Sequence, residues 1–341
     1  MAEGGTESAG IFWRPRLPPG LGRAFWLAAL LLACAEALLH SEAWMWRYRA
    51  VFAVGRALDK VQYVEHTRPS LLIIGNSRTD NGVDPRTLQH ALNEPAQRAF
   101  NLGMPGANAL IYHGLIARLL QRGALGNSGS HTVLLGLDES ALQEDHSLGY
   151  SPFFSDRATL WQQARYRDWL GHHVRLWSYS ANLRQLREPE KAARMIEATL
   201  HSLDPVGGPP AEHGGYRAGF GAAQNDTQLR SQENAAYAPP APAMLSYLWL
   251  TVAALEQHQV RLVVFIPPLR DRASAFVDPR ADAAPYRALL QQLRARGIPV
   301  LHEGAPLFEP AEFVNSGHLN DRGAQRYSRW LGGQLAQMSP H

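Results

Sequence analysis

The chain has a single cysteine, Cys34, in 341 residues, so no disulfide can form within it and no cysteine cluster can hold a metal. Charge is also scarce: 18% of residues are charged and the formal net charge is only +3. Lysine and arginine are scattered, with no basic stripe interleaved with aromatics, which argues against nucleic acid as a partner. No Gly-rich phosphate loop with its lysine is present, so nucleotide binding is not expected, nor is any other cofactor or a metal. The lack of disulfides does not exclude export, because a large core supplies stability without covalent links. What is abundant is apolar. Hydrophobic residues make up 45%, with nine Trp and eleven each of Tyr and Phe, enough for one large domain or two small ones.

The longest apolar run lies near the amino terminus. Residues 24–39 read AFWLAALLLACAEALL behind Arg14, Arg16 and Arg23. Extended to residue 40, the run approaches the ~20 residues that span a bilayer, and the upstream arginines favour a cytoplasmic amino terminus. Three readings fit: an uncleaved signal anchor, a lipoprotein signal with Leu31-Leu32-Ala33-Cys34 as its lipobox, or a buried helix. The signal anchor is the expectation, since no small-x-small cleavage site follows. It divides the chain into a cytoplasmic tail (1–23), a transmembrane helix (24–40), a stalk (41–69) and a domain (70–338). That domain would lie beyond a cytoplasmic membrane, in the periplasm or outside the cell.

Short apolar runs at 71–75, 98–103, 132–138, 260–267 and 298–302 predict strands, and their unbroken apolar character predicts burial on both faces. Helical patterns fall between them at 84–92, 107–122, 182–202, 242–258, 281–296 and 321–337. This alternation is the pattern of a parallel sheet covered by helices on both sides. Residues 204–243, rich in Gly, Pro and Ala, break the rhythm and read as a flexible insertion, either a lid or a tolerated loop.

In an open parallel sheet, functional side chains sit beyond the carboxyl ends of the strands. The first strand ends in Gly75-Asn76-Ser77-Arg78-Thr79, where Ser77 is either a nucleophile at the sheet mouth or a helix cap. The second ends in Asn101-Leu102-Gly103, whose glycine suits close backbone approach or a plain turn, with Asn108 shortly after. The third ends in Gly136-Leu137-Asp138-Glu139. Far along the chain come Asn315-Ser316-Gly317-His318 and Asn320, with His318 in a polar loop where a general base could reach across the mouth. The paired His172 and His173, like His113 and His131, lack the spacing of metal ligands and read as packed or solvated residues.

Taken in this order, the four blocks resemble those of the SGNH (GDSL-like) hydrolase family. The resemblance implies a three-layer α/β/α, flavodoxin-like fold with a mostly parallel five-stranded sheet. It implies Ser77 as nucleophile, His318 as base, and the backbone N–H groups of Ser77 and Gly103 as the oxyanion hole. The wording GNSRTDNGVDP, FNLGMPGAN and VLLGLD is similar to a branch of membrane-anchored proteins that modify cell-envelope polymers, among them D-alanyl transfer and alginate O-acetylation proteins. That branch implies a serine esterase or acyltransferase, with acetyl the expected group. Its substrate would be an envelope glycan or polymer, and its partner a multi-spanning membrane acyltransferase.

Two positions depart from the family. Asn315 stands where an aspartate normally orients the histidine, leaving three explanations: a Ser-His pair, an acid from elsewhere (Glu312 or Asp80), or lost activity. Asp138 stands where an asparagine donates to the oxyanion; an ionised carboxylate only accepts, so its expected task is to position Arg78 or a substrate hydroxyl. Asn108 and Asn320 are further candidates for substrate contact. The rival expectation is an inactive protein of the same fold that binds an envelope glycan or a membrane acyltransferase. A free-standing lipase or thioesterase is a third.

Overall fold

The computed structural model describes residues 19–48, 51–92, 99–126, 131–144, 149–201, 213–219, 221 and 235–338. From the amino end, α1 (Pro19–His40), α2 (Glu42–Met45) and α3 (Ala53–Thr67) precede β1 (Leu71–Ile74), α4 (Ser77–Gly82), α5 (Pro85–Leu92) and β2 (Ala99–Asn101). Next come α6 (Ala109–Gln121) and β3 (Thr132–Gly136), then a run of short helices. These are α7 (Ser151–Phe154), α8 (Arg157–Gln162), α9 (Tyr166–His173), α10 (Arg175–Ser178), α11 (Ser180–Gln185) and α12 (Pro189–Leu200). The chain closes with α13 (Pro242–Gln257), β4 (Arg261–Phe265), α14 (Ala284–Ala295), β5 (Val300–Leu301) and α15 (Asp321–Met338).

The five strands form one parallel sheet in the order β2-β1-β3-β4-β5. Successive side chains on a strand point to opposite faces, and both faces here are apolar. Leu72, Ile74, Val133, Leu135 and Val264 join one core with α3, α6, α13 and α14. Leu71, Ile73, Leu134, Val263 and Phe265 join a second core with α5 and α15. The result is three layers, helices on a sheet on helices. Strand order reverses between β1 and β3, so the loops leaving these strands part and open a crevice at their carboxyl ends. Ser77 follows β1 and Asp138 follows β3, at that switch point.

Three stretches differ from the sequence expectation. The segment read as a stalk contains α3, which packs into the core through Val61 and Val64, both fully buried. The single helix expected at 182–202 is two, α11 and α12. Pro189 opens the second, and proline fits the first turn of a helix but not its interior. Most of the 204–243 insertion lies outside the described residues. Its described parts are tied down: the N–H of Asn101 donates to Gly214 O (2.8 Å), and Tyr216 and Tyr237 are buried.

Among the described residues, one helix is long and apolar enough to cross a membrane, within α1 at Gly22–His40. Phe25, Trp26, Leu27, Leu30, Leu31 and Leu32 are 59–72% exposed along it. Such a helix fits an anchor and a signal sequence alike.

Candidate active site

The turn after β1 presents Ser77 at the first position of α4. Asn76 caps that helix, its Oδ1 accepting from Arg78 N at 3.0 Å, which leaves the Ser77 side chain at the mouth of the crevice. Three glycines seat the helix. A Cβ on Gly75 or Gly136 would lie 2.0 or 2.2 Å from Thr79 Oγ1, and one on Gly103 would lie 2.6 Å from Asp80 N. These glycines of the first three sequence blocks therefore share one physical cause: they make room for the first turns of α4 above the strand ends.

His318 arrives from the opposite end of the chain. Phe313 and Leu319 form an antiparallel bridge, and Val314 N donates to His318 O (2.8 Å), closing a tight loop before α15. This loop brings His318 Nε2 to 2.7 Å from Ser77 Oγ, across 241 residues of sequence. The other ring nitrogen, Nδ1, lies 2.8 Å from Asn315 Oδ1. That oxygen also accepts the backbone N–H groups of Gly317 and His318, both at 3.0 Å, so the amide orientation is fixed by the turn. An oxygen facing Nδ1 requires the proton there, which leaves Nε2 free to accept from the serine hydroxyl. Burial holds the His318 imidazole below its ordinary value, and the nearby Arg78 guanidinium adds to the effect.

Neither alternative acid reaches the histidine. Asp80, fully buried, is bound by Arg56 Nη1 (2.8 Å) and Lys60 Nζ (2.7 Å). Glu312 is held by Arg326 Nη1 (2.9 Å) and by the N–H of Glu309 (2.8 Å). Asn315 is the third member of the arrangement.

Gly103 is placed differently from the role implied by resemblance. Its N–H donates to Asn101 Oδ1 at 2.7 Å, and its carbonyl accepts from Lys60 Nζ at 2.7 Å. Both backbone groups are thus engaged by the protein's own side chains rather than offered to a ligand. Ser77 N–H, at the first position of α4, is the remaining candidate of the two expected donors.

Asp138 spends its charge inward. It accepts from Asn76 Nδ2 (2.6 Å), Ser140 Oγ (2.6 Å) and Ala141 N (3.1 Å), and Arg78 Nη1 stands 3.5 Å away. Burial alone would raise this carboxyl, but Arg78 and the surrounding donors hold it below the usual carboxylate range. Arg78 also pairs with Glu139 (3.0 Å), which in turn accepts from Ser274 Oγ (3.0 Å) and Ala275 N (2.6 Å). Asn108 and Asn320 cap α6 and α15 and are themselves buried, so they shape loops.

Asn76, Glu139 and the Arg56–Lys60 pair were not singled out from sequence. The available signal for Asn76 was its place before a helix start, where asparagine is a preferred cap. The two cations of α3 carried none, since charges on an amphipathic helix read as its solvent face. Among the described residues, no cluster of His, Cys, Asp and Glu is placed to hold a metal. No family model matches the chain, and comparison with curated proteins finds no match.

Proposed function

We propose that the protein is a membrane-tethered serine esterase or O-acyltransferase, with a flavodoxin-like domain similar to the SGNH hydrolases. The observation that carries this reading is the continuous chain Ser77 Oγ–His318 Nε2 and His318 Nδ1–Asn315 Oδ1, at 2.7 and 2.8 Å. A serine, a base within hydrogen-bond reach and a third group orienting that base are the parts nucleophilic acyl transfer needs.

In the proposed reaction, His318 Nε2 takes the Ser77 proton as Oγ attacks an ester carbonyl. Ser77 N–H steadies the developing oxyanion. The imidazolium then gives its proton to the departing alkoxide, leaving an acyl-serine. A hydroxyl of an envelope glycan, or water, takes the acyl group by the same steps in reverse. The inward bonds of Asp138 and its neighbour Arg78 support this reading, because they reduce the repulsion a bare carboxylate would exert on the oxyanion. Tethering is supported by the apolar stretch Gly22–His40. Acetyl as the acyl group and a multi-spanning acyltransferase as donor rest on the sequence resemblance.

The experiment is to mix the full chain with an activated acetyl ester and read intact mass. An acetyl adduct on the wild type, absent from Ser77→Ala, supports the reading. No adduct on a folded wild type at any pH tested contradicts it. One observation favours a second reading, a non-catalytic glycan-binding protein of the same fold: Gly103 N–H is already bonded to Asn101, which removes one expected oxyanion donor.

A further inference from the structure

A group of aromatic and basic side chains on the connection between β3 and β4 has no part in the site described above. Trp161, Tyr166, Leu170 and Trp177 are 41–55% exposed, an unusual concentration of large apolar groups in solvent. They are not scattered singly: Trp161 packs against Tyr166 (5.2 Å) and Trp169 (5.0 Å), and Trp169 against His173 (4.6 Å). Arginine is interleaved with them. Arg157 sits one turn before Trp161 on α8, on the same helix face, and the Arg167 guanidinium lies over the Trp177 ring at 6.0 Å. Residues 157–178, which span α8 to α10, hold four arginines and one acidic residue. That acid, Asp168, is taken by Arg165 at 2.9 Å, and Asp156, just before α8, caps that helix.

The position of this face relative to α1 gives it meaning. His40 Nε2 reaches the carbonyl of His173 (3.3 Å), and the Glu36 carboxylate accepts the backbone N–H groups of Arg175 and Leu176, the latter at 2.9 Å. Glu36 and His40 form the last turn of the apolar stretch that ends at His40. The start of α10 and the end of α9 are therefore pinned beside that turn. If α1 spans a bilayer, this level is the headgroup region, where Trp and Tyr concentrate and arginine meets lipid phosphate.

We infer that the face formed by α8, α9 and α10 lies on the surface of an anionic lipid bilayer. Trp161, Tyr166 and Trp177 sit among the headgroups, and Arg157 and Arg167 face lipid phosphates. This rests on the reading of α1 as an anchor. It adds a second attachment to the membrane beside the end of α1, where Glu36 and His40 already hold the domain against the anchor. The mechanism is that of an interfacial amphipathic surface, in which apolar burial and charge attraction add.

The test uses the full chain with Cys34→Ser, carrying one fluorophore at Gln162→Cys, beside Trp161, or at Leu30→Cys, within α1. Each is reconstituted in bilayer discs of phosphatidylcholine with phosphatidylglycerol, or of phosphatidylcholine alone, doped with lipid bearing a headgroup-region or acyl-chain nitroxide. Docking on anionic lipid predicts quenching at position 162 by the headgroup nitroxide in anionic discs. It should fall about twofold or more in neutral discs, or in the Arg157→Glu/Arg167→Glu variant. Position 30 should be quenched by the acyl-chain nitroxide throughout. Quenching at 30 with none at 162 overturns the docking while leaving the anchor intact, as does a face covered by a protein partner instead of lipid. Quenching at 162 equal in both lipids overturns the assignment to anionic lipid. No quenching at 30 overturns the anchor and the docking together.

Discussion

Asn315 turns its side-chain oxygen, not its nitrogen, toward His318 Nδ1, at 2.8 Å. Two backbone N–H groups of the same loop, at 3.0 Å each, hold it that way. Replacing the acid of a Ser-His-Asp triad by an amide normally costs about 10⁴ in turnover because the wrong tautomer is held. Here the loop enforces the useful tautomer, and only the charge is missing.

Asn315→Asp should therefore raise acyl-transfer or esterase activity, by about tenfold to a hundredfold rather than the full ~10⁴. The new carboxylate stabilises the imidazolium, so the acid limb of the pH–rate profile should also move up. Steady-state hydrolysis of an aryl ester across pH measures both. An unchanged or lower rate in a folded variant would show that Asn315 is tuned for another role.

His318 must be neutral to accept the serine proton, and burial together with Arg78 lowers its pKa. Activity should persist below the ordinary histidine value of about 6.5 and fall as pH drops through the lowered value. Arg78→Gln removes a nearby positive charge and unmasks Asp138 and Glu139 (3.5 and 3.0 Å from it). Both changes favour imidazolium, so the acid limb of kcat/KM should shift upward in that variant.

Much of the fold is legible in the sequence because burial on two faces leaves a simple mark. Runs such as Leu71–Ile74 and Thr132–Gly136 are apolar throughout or nearly so, whereas β2, which ends on Asn101, and β4, which opens on Arg261, carry the mark less cleanly. Ser77 and His318 are legible as chemistry at strand and helix ends. That they stand 2.7 Å apart follows only from tertiary packing. The illegible parts are those where charge is buried. In α3, Arg56 and Lys60 look like the wet side of a helix, yet Lys60 is 1% exposed because Asp80 and the Gly103 carbonyl receive it. The sequence leaves the Gly103 N–H open to a ligand, and in the fold the Asn101 side chain closes it.

Lys60 gives a prediction about stability. Burial pushes its ammonium down to about 7, against the opposing pull of Asp80. In the unfolded chain the lysine keeps its ordinary value near 10.4, so above pH 7 the unfolded state binds the extra proton. Stability should then rise with pH, by on the order of 2 kcal/mol between pH 7 and 9. Thermal unfolding across that range would show it, and Lys60→Met should flatten the rise. A wild type that loses stability from pH 7 to 9 would contradict the lowered value.

The seating of α4 predicts a sharp contrast among glycines. Gly75→Ala and Gly136→Ala press a methyl group into Thr79 and should destabilise by about 1–3 kcal/mol or more, displacing Ser77 as well. Gly333→Ala, with open space around it on α15, should be neutral or stabilise by up to about 1 kcal/mol. Melting temperatures of the three variants, with activity beside them, separate seating from ordinary helix propensity.

The most direct measurement is labelling of the full chain, in detergent, by a fluorophosphonate probe, alongside Ser77→Ala, His318→Ala and Asn315→Asp. An activated serine predicts covalent labelling of the wild type, its loss in Ser77→Ala, a fall of about 10²-fold or more in rate in His318→Ala, and faster labelling in Asn315→Asp. No labelling of the folded wild type and none gained with Asn315→Asp would contradict the account, and would leave the crevice as a binding site.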